Sequence, residues 1–163
     1  MNDKECMRLA LEEARRAYRE DEIPIGAVLV SEDGTLISAA HNKIEQLTDA
    51  TAHAEILALR KGSEKLKRRR LSDCTLYSTV EPCAMCAGAL MLCRVKRIVY
   101  GIPDSKFGAA ESLFNVVNNP ALNHQAEVTA GVLEDECRAL MKKFFNKRRS
   151  QSKIGDGGID GFD

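Results

Sequence analysis

Met7, Ala10, Leu11, Ala14, Ala17 and Tyr18 recur at three- and four-residue steps, so residues 4–20 read as an amphipathic helix. Two apolar stretches follow, Ile23–Val30 and Leu36–Asn42, separated by a polar Glu32-Asp33-Gly34-Thr35. Asp-Gly between two such runs predicts a hairpin. A polar loop over 43–51 leads to a helix from Thr51, as N-cap, to Lys65. Thr75–Val80 predicts a strand, Pro82 the first position of another helix, and Arg97–Gly101 a further strand. Ile102–Ala126 lacks a period and predicts irregular chain with one helical turn around Ser112–Val116. Glu127–Ala130 predicts a last strand and Glu134–Arg148 a last helix, with Leu133, Cys137, Leu140, Met141 and Phe144 inward. Strands alternating with helices imply an α/β fold: a three-layer α/β/α sandwich around a five-stranded sheet, which the opening hairpin makes mixed. Sites in such folds form where loops beyond strand ends meet helix N-termini.

Composition narrows the class. With 163 residues, 44% of them hydrophobic, the chain can bury a substantial core in one domain. The N-terminus shows no basic start followed by an apolar run, and no stretch approaches the ~20 apolar residues of a membrane span, so a cytoplasmic protein without a membrane partner is expected. Formal charge is zero, but three of the 24 acidic residues lie within the last nine, leaving the body with a small positive excess. Basic residues gather between Arg60 and Arg70 and again between Lys142 and Arg149. Each group reads as a solvated helical face or as a contact for phosphate. The expected division is a single domain over residues 1–149 and a disordered acidic tail over 150–163.

Six cysteines without a secretory signal argue against a disulfide scaffold. Cys74 and Cys137, isolated, suit small buried hydrophobes. Cys83-Ala84-Met85-Cys86 differs: two sulfurs one helical turn apart can grip one ion, and a helix N-terminus favours their thiolates. Alone, that spacing fits redox chemistry, structural zinc or catalytic zinc. His53 adds an imidazole to the two thiolates, and three protein ligands leave the fourth tetrahedral position for water. Glu55 decides between the zinc readings. A closed structural site has no use for an unligated carboxylate beside it, whereas hydrolysis needs a proton carrier.

His53-Ala54-Glu55 followed by Pro82-Cys83-x-x-Cys86 is the established zinc-deaminase signature, and it places the chain by resemblance in the cytidine-deaminase-like superfamily. The chain further resembles the bacterial tRNA-specific adenosine deaminase family. The matching segments include Pro24–Val28, Asn42, Thr51–Ile56, Glu81–Ala89, Arg97–Gly101, Asp104-x-Lys106-x-Gly108-Ala109, Gly131–Leu133 and Phe144-Phe145 with Arg148-Arg149. The resemblance implies one zinc per chain on His53, Cys83 and Cys86, with Glu55 catalytic. It also implies a homodimer, and as substrate the wobble adenosine of a tRNA anticodon stem-loop. It assigns Asn42 and the Ala54 backbone to the base and Val28 to an apolar wall. Asp104, Lys106, Phe107, Phe144, Phe145, Arg148 and Arg149 become candidates for RNA contact. Ala50 and Ala84 stand where the family often has proline, positions not expected to hold a ligand. The competing expectations are a free-base or nucleoside deaminase, such as one for guanine, and a non-catalytic zinc module closed by Cys74 or Cys93.

Overall fold

The computed structural model describes residues 1–152; the tail expected to be disordered lies, from residue 153 onward, outside the described residues. Helix α1 (Asp3–Arg19) is followed by the hairpin β1 (Gly26–Ser31) and β2 (Leu36–His41) and a short α2 (Ile44–Leu47). Then come α3 (Ala54–Leu66), β3 (Cys74–Val80), α4 (Ala84–Leu92), β4 (Arg97–Ile102), β5 (Glu127–Ala130) and α5 (Glu134–Ser152). The sheet runs β2-β1-β3-β4-β5; β1 is antiparallel to both β2 and β3, while β3, β4 and β5 are parallel. This is the mixed five-stranded α/β/α sandwich expected.

Period-two alternation divides the strands between two cores. Ala27, Leu29, Leu76, Ile98 and Tyr100 face Ala58 and Leu59 of α3 and Leu90 and Met91 of α4. Val28, Val30, Tyr77 and Val99 face Met7, Ala10 and Leu11 of α1 and Cys137 and Met141 of α5. A Cβ on Gly26 would collide with the Ala10 carbonyl, so glycine lets α1 cross directly over β1. At the N-terminal end of α1, Asn2 and Glu5 close a capping box. There too, both oxygens of Asp3 accept from the Arg97 guanidinium at 2.8 and 2.7 Å.

Four expectations shift. Thr51 is not the cap of α3: its hydroxyl is spent on Asp49, and the helix begins only after His53, whose backbone is extended. Pro82 is likewise not the first helical residue, because Cys83 is the extended N-cap of α4. No helical turn forms over 112–116: the Leu113 and Phe114 N–H groups both turn back to the Gly108 carbonyl, and those of 110–112 go to the Glu81 carboxylate. Finally, α5 runs on to Ser152, past the expected end at Arg148. Cys74 and Cys137 are buried free thiols, as their isolation suggested.

Candidate metal and substrate site

Two helices aim their N-termini at one point beyond the C-terminal ends of β3 and β4. His53 caps α3, Cys83 caps α4, and Cys86 lies in the first turn of α4. Each cap keeps extended backbone while its carbonyl accepts the first helical bond, from Leu57 and Ala87 respectively. Neither side chain caps its own helix, which leaves both free to turn toward each other. The His53 Nδ1 lies 3.6 Å from Cys83 Sγ and 3.5 Å from Cys86 Sγ, and the three donor atoms fall within 4.8 Å of one another.

The donor set fits zinc. Tetrahedral bonds of about 2.3 Å to sulfur and about 2.0 Å to nitrogen separate such atoms by about 3.5 Å. A hydrogen bond to the Ala50 backbone orients the imidazole, as the outer partner of a metal-binding histidine does. Contact with Cys86, working against burial and joined by His53, holds the Cys83 thiol down to about 4. Contact with Cys83 in turn raises His53. Among the described residues no fourth ligand joins the group; Cys74 and Cys93 lie outside it, so the closed zinc module finds no support.

Glu55, in the first turn of α3, is 4% exposed. Ser78, facing it from β3, approaches Oε1 at 3.1 Å and also donates to the Val80 carbonyl at 2.7 Å. Burial pushes the Glu55 carboxyl up, against the pull of Cys86 and His53. A buried carboxyl with a raised pKa beside a candidate metal group is equipped to hold and release a proton.

Above these groups opens a cavity of about 390 Å³ lined by Ile23, Ile25, Asn42, Ile44, Ala50, His53, Glu55, Val80, Glu81, Cys83, Asp104 and Phe107. Apolar walls with a few polar groups at one end suit a flat heteroaromatic ring. Asn42 is there, but its Oδ1 accepts the Ala54 N–H at 2.7 Å, so the Asn42 amide NH2 remains for a ligand and the Ala54 N–H does not. Val28 is not there: it is fully buried on the α1 side of the sheet, and Ile23, Ile25, Ile44 and Val80 form the wall expected of it. Ala50, a position not expected to hold a ligand, is part of the lining.

Asp104 also lines a second cavity of about 350 Å³, with Lys106, Arg138, Lys142, Phe145, Asn146 and Arg149 among its other walls. The candidates on α5 therefore separate. Phe145 and Arg149 face this groove, whereas Phe144 is 3% exposed and packs edge-on against Tyr18, with the Arg148 guanidinium 4.7 Å above its ring. The first basic group also parts from the site. Arg68, Arg69 and Arg70 are exposed just past the C-terminal end of α3, a 13-residue helix about 20 Å long whose other end holds His53.

Two residues that support the site had no role in the sequence reading. Glu81 and Glu22 are almost wholly buried, and both accept backbone N–H groups from loops that wall the cavity. The one sequence signal for either is a charged residue directly at the end of an apolar strand, as at Glu81.

Residues 1–149 match the family model described as MafB19-like deaminase. The tRNA-specific adenosine deaminase of Haemophilus influenzae is 47% identical over 152 residues, covering 93% of this chain and 88% of its own. A solved structure from work on A-to-I editing by tRNA:A34 deaminases at the wobble position of transfer RNA superposes with TM-score 0.80 at 44% identity, covering 83% of this chain and 98% of that one. Guanine deaminase from Nitrosomonas europaea superposes with TM-score 0.77 at 29% identity, covering 88% and 84%.

Proposed function

This chain belongs to the tRNA-specific adenosine deaminases of the MafB19-like deaminase family, and on that premise we propose that it converts adenosine to inosine at the wobble position of a tRNA anticodon loop. The observation that carries the chemistry is the triangle of His53, Cys83 and Cys86 beside the buried, unligated Glu55. Those three side chains would hold one zinc ion per chain. When bound, the ion supplies a Lewis acid that brings the pKa of a water to about 7.

Glu55 takes the two protons of the attacking water on its carboxylate, one after the other. It returns protons to N1 of the purine and to the departing amine as oxygen joins C6 and the C6–N bond breaks. Adenosine and water become inosine and ammonia. The free amide NH2 of Asn42 donates to an acceptor on the purine edge. Ile25, Ile44 and Val80 exclude water from its faces, and Phe107 offers a stacking surface at the mouth.

To reach Glu55 the base must leave its stack, and the nucleotides beside it then need a path. The groove beyond Asp104 supplies one, with Lys106, Lys142 and Arg149 for phosphates and Phe145 for a neighbouring base. That continuation favours RNA over free guanine, the second reading, which the likeness to guanine deaminase supports. Residues 1–149 are read as one domain, working in the cytoplasm, where tRNA is matured. Among the described residues no helix is long and apolar enough to cross a membrane. Leu92, 83% exposed on α4, with exposed Met85, Leu113 and Phe114, supports a second copy as partner. Light scattering that finds only monomer would remove the homodimer.

The test of function is inosine formation by the zinc-loaded protein on an anticodon stem-loop with adenosine at the wobble position. Inosine at that position alone is expected. Absence of inosine, together with conversion of guanine to xanthine, would replace this reading with the second.

A further inference from the structure

Resting on that reading of the site, we propose that Glu81 and Glu22 are positioning residues: two buried carboxylates that hold the loops on either side of the cavity in the shape that admits RNA. Neither belongs to the metal group or to the proton path. Glu81, just past β3, is 3% exposed. Its Oε1 accepts the Asp104 N–H at 3.1 Å and the Ser112 hydroxyl. Its Oε2 accepts the N–H groups of Ala110, Glu111 and Ser112 at 3.1, 2.9 and 2.9 Å.

Four backbone donors and a hydroxyl from one irregular segment thus end on a single side chain. The chain passes so close that a Cβ on Gly108 would collide with the Glu81 carboxylate. The loop held this way carries the cavity's Phe107 and Asp104, and Asp104 in turn accepts the Lys106 and Phe107 N–H groups at 3.0 and 3.1 Å.

Glu22 does the same on the opposite wall. It is 1% exposed and accepts the Glu45 N–H at 2.7 Å and the Gln46 N–H at 3.5 Å. These lie in the first turn of α2, which has no side-chain cap of its own and carries Ile44 of the cavity. A buried carboxylate is tolerated only when its oxygens are satisfied. Conversely, N–H groups that lose it must find water, and the loop moves to reach it.

The anchors differ in how they answer to an amide. Glutamine at 81 would present an NH2 group where N–H donors already converge on both oxygens. At 22 the remaining oxygen can keep the 2.7 Å bond from Glu45, and the NH2 group displaces only the longer contacts at 3.2 and 3.5 Å. Each substitution leaves His53, Glu55, Cys83 and Cys86 in place on α3 and α4, so the loss falls on the fraction of molecules whose loops are ready for substrate. When that fraction drops to one in ten, apparent affinity drops about tenfold.

In the full-length, zinc-loaded protein acting on the anticodon stem-loop, Glu81→Gln should raise KM about tenfold and Glu22→Gln about threefold. In both, kcat should stay within about twofold and zinc at one per chain. In the RNA-free protein, the Ala110, Glu111 and Ser112 amides should exchange at least about tenfold faster in Glu81→Gln, with the sheet amides unchanged. A merely structural role would lower stability without separating KM from kcat. Parental KM together with parental exchange at 110–112 would overturn the proposal. So would a kcat that falls in step with lost zinc at constant KM, which would make Glu81 a support for Cys83. Should Glu81→Gln not fold, Ser112→Ala removes one donor from the same carboxylate. A KM raised about twofold or more supports the anchor, and an unchanged KM sinks it. If the parent itself makes no inosine, the function assigned above fails, while amide exchange still tests the anchors.

Discussion

The candidate metal group and the substrate walls lie within one cavity, yet they are built by opposite means. His53, Glu55, Cys83 and Cys86 stand on the N-caps and first turns of two helices packed on the sheet, and in the proposed reading their side chains carry the chemistry. The walls at 42–50 and 104–112 are mostly loop, held through backbone N–H groups by two carboxylates that belong to neither loop. Packed elements give the reacting groups fixed positions, as hydrolysis requires. Loops tied at their backbones leave their own side chains free for the ligand. Damage to the first region should therefore appear in kcat or metal content, and damage to the second in KM.

The largest effects test the first half of that contrast. Glu55→Ala should lower kcat by about 10²–10⁴-fold while zinc content stays at one per chain, as the proposed role of Glu55, a proton carrier outside the His53–Cys83–Cys86 group, requires. Activity near the parental level would overturn the mechanism. His53→Ala should instead lose metal: one of three donors is gone and no fourth waits nearby among the described residues. Metal analysis that finds the ion retained would remove His53 from the ligand set.

The groove offers an intermediate effect and an internal control. Lys106→Ala with Arg149→Ala should raise KM for the stem-loop several-fold. It should also flatten the dependence of log KM on log salt by about 0.7 for each phosphate that is no longer neutralised. Arg148→Ala should alter KM less, since its guanidinium lies over Phe144. Replacing Arg68, Arg69 and Arg70, at the far end of α3, should leave the salt dependence as it was. Equal effects from the groove and the far cluster would dissolve the distinction between a built path and general charge attraction.

How much of this is legible in the sequence follows the same division. Metal chemistry demands particular residue types at particular spacings, so His53, Cys83 and Cys86 stand out before any fold is known, and the strand–helix alternation supplies the layers. The caps shift because Thr51 and Pro82 are good helix-start residues by themselves. In the structure the candidate ligands, His53 and Cys83, take the cap positions themselves. Val28 falls on the wrong side because alternation separates two faces without saying which one the cavity opens on. Phe144 already lies on the inward stripe with Cys137 and Met141, and packing holds it there. Glu22 and Glu81 are illegible for a deeper reason. Their partners are backbone N–H groups 23 to 31 positions away, and almost every residue carries that donor.

The smallest effect probes whether the far end of the strands is independent of the site. Asp3 meets Arg97 at the start of β4, a strand about 20 Å long whose other end leads into Asp104. The Arg97 guanidinium, and after it the Tyr77 hydroxyl, hold the Asp3 carboxyl below its ordinary 3.8, against burial. A folded-state pKa below the unfolded one adds stability that is fully present above the unfolded value and disappears as pH falls through the folded one. Asp3→Asn should therefore lower stability at pH 7 by about 1 kcal/mol, since this pair is only partly shielded from water. The gap from the parent should narrow as urea melts are carried into acid below 3.8. Both kcat and KM should stay parental, because nothing Asp3 touches reaches the cavity. Identical melts at pH 7 would mean the pair contributes nothing. A shifted KM would mean that β4 transmits strain from one end to the other, and that the walls are not held by their carboxylates alone.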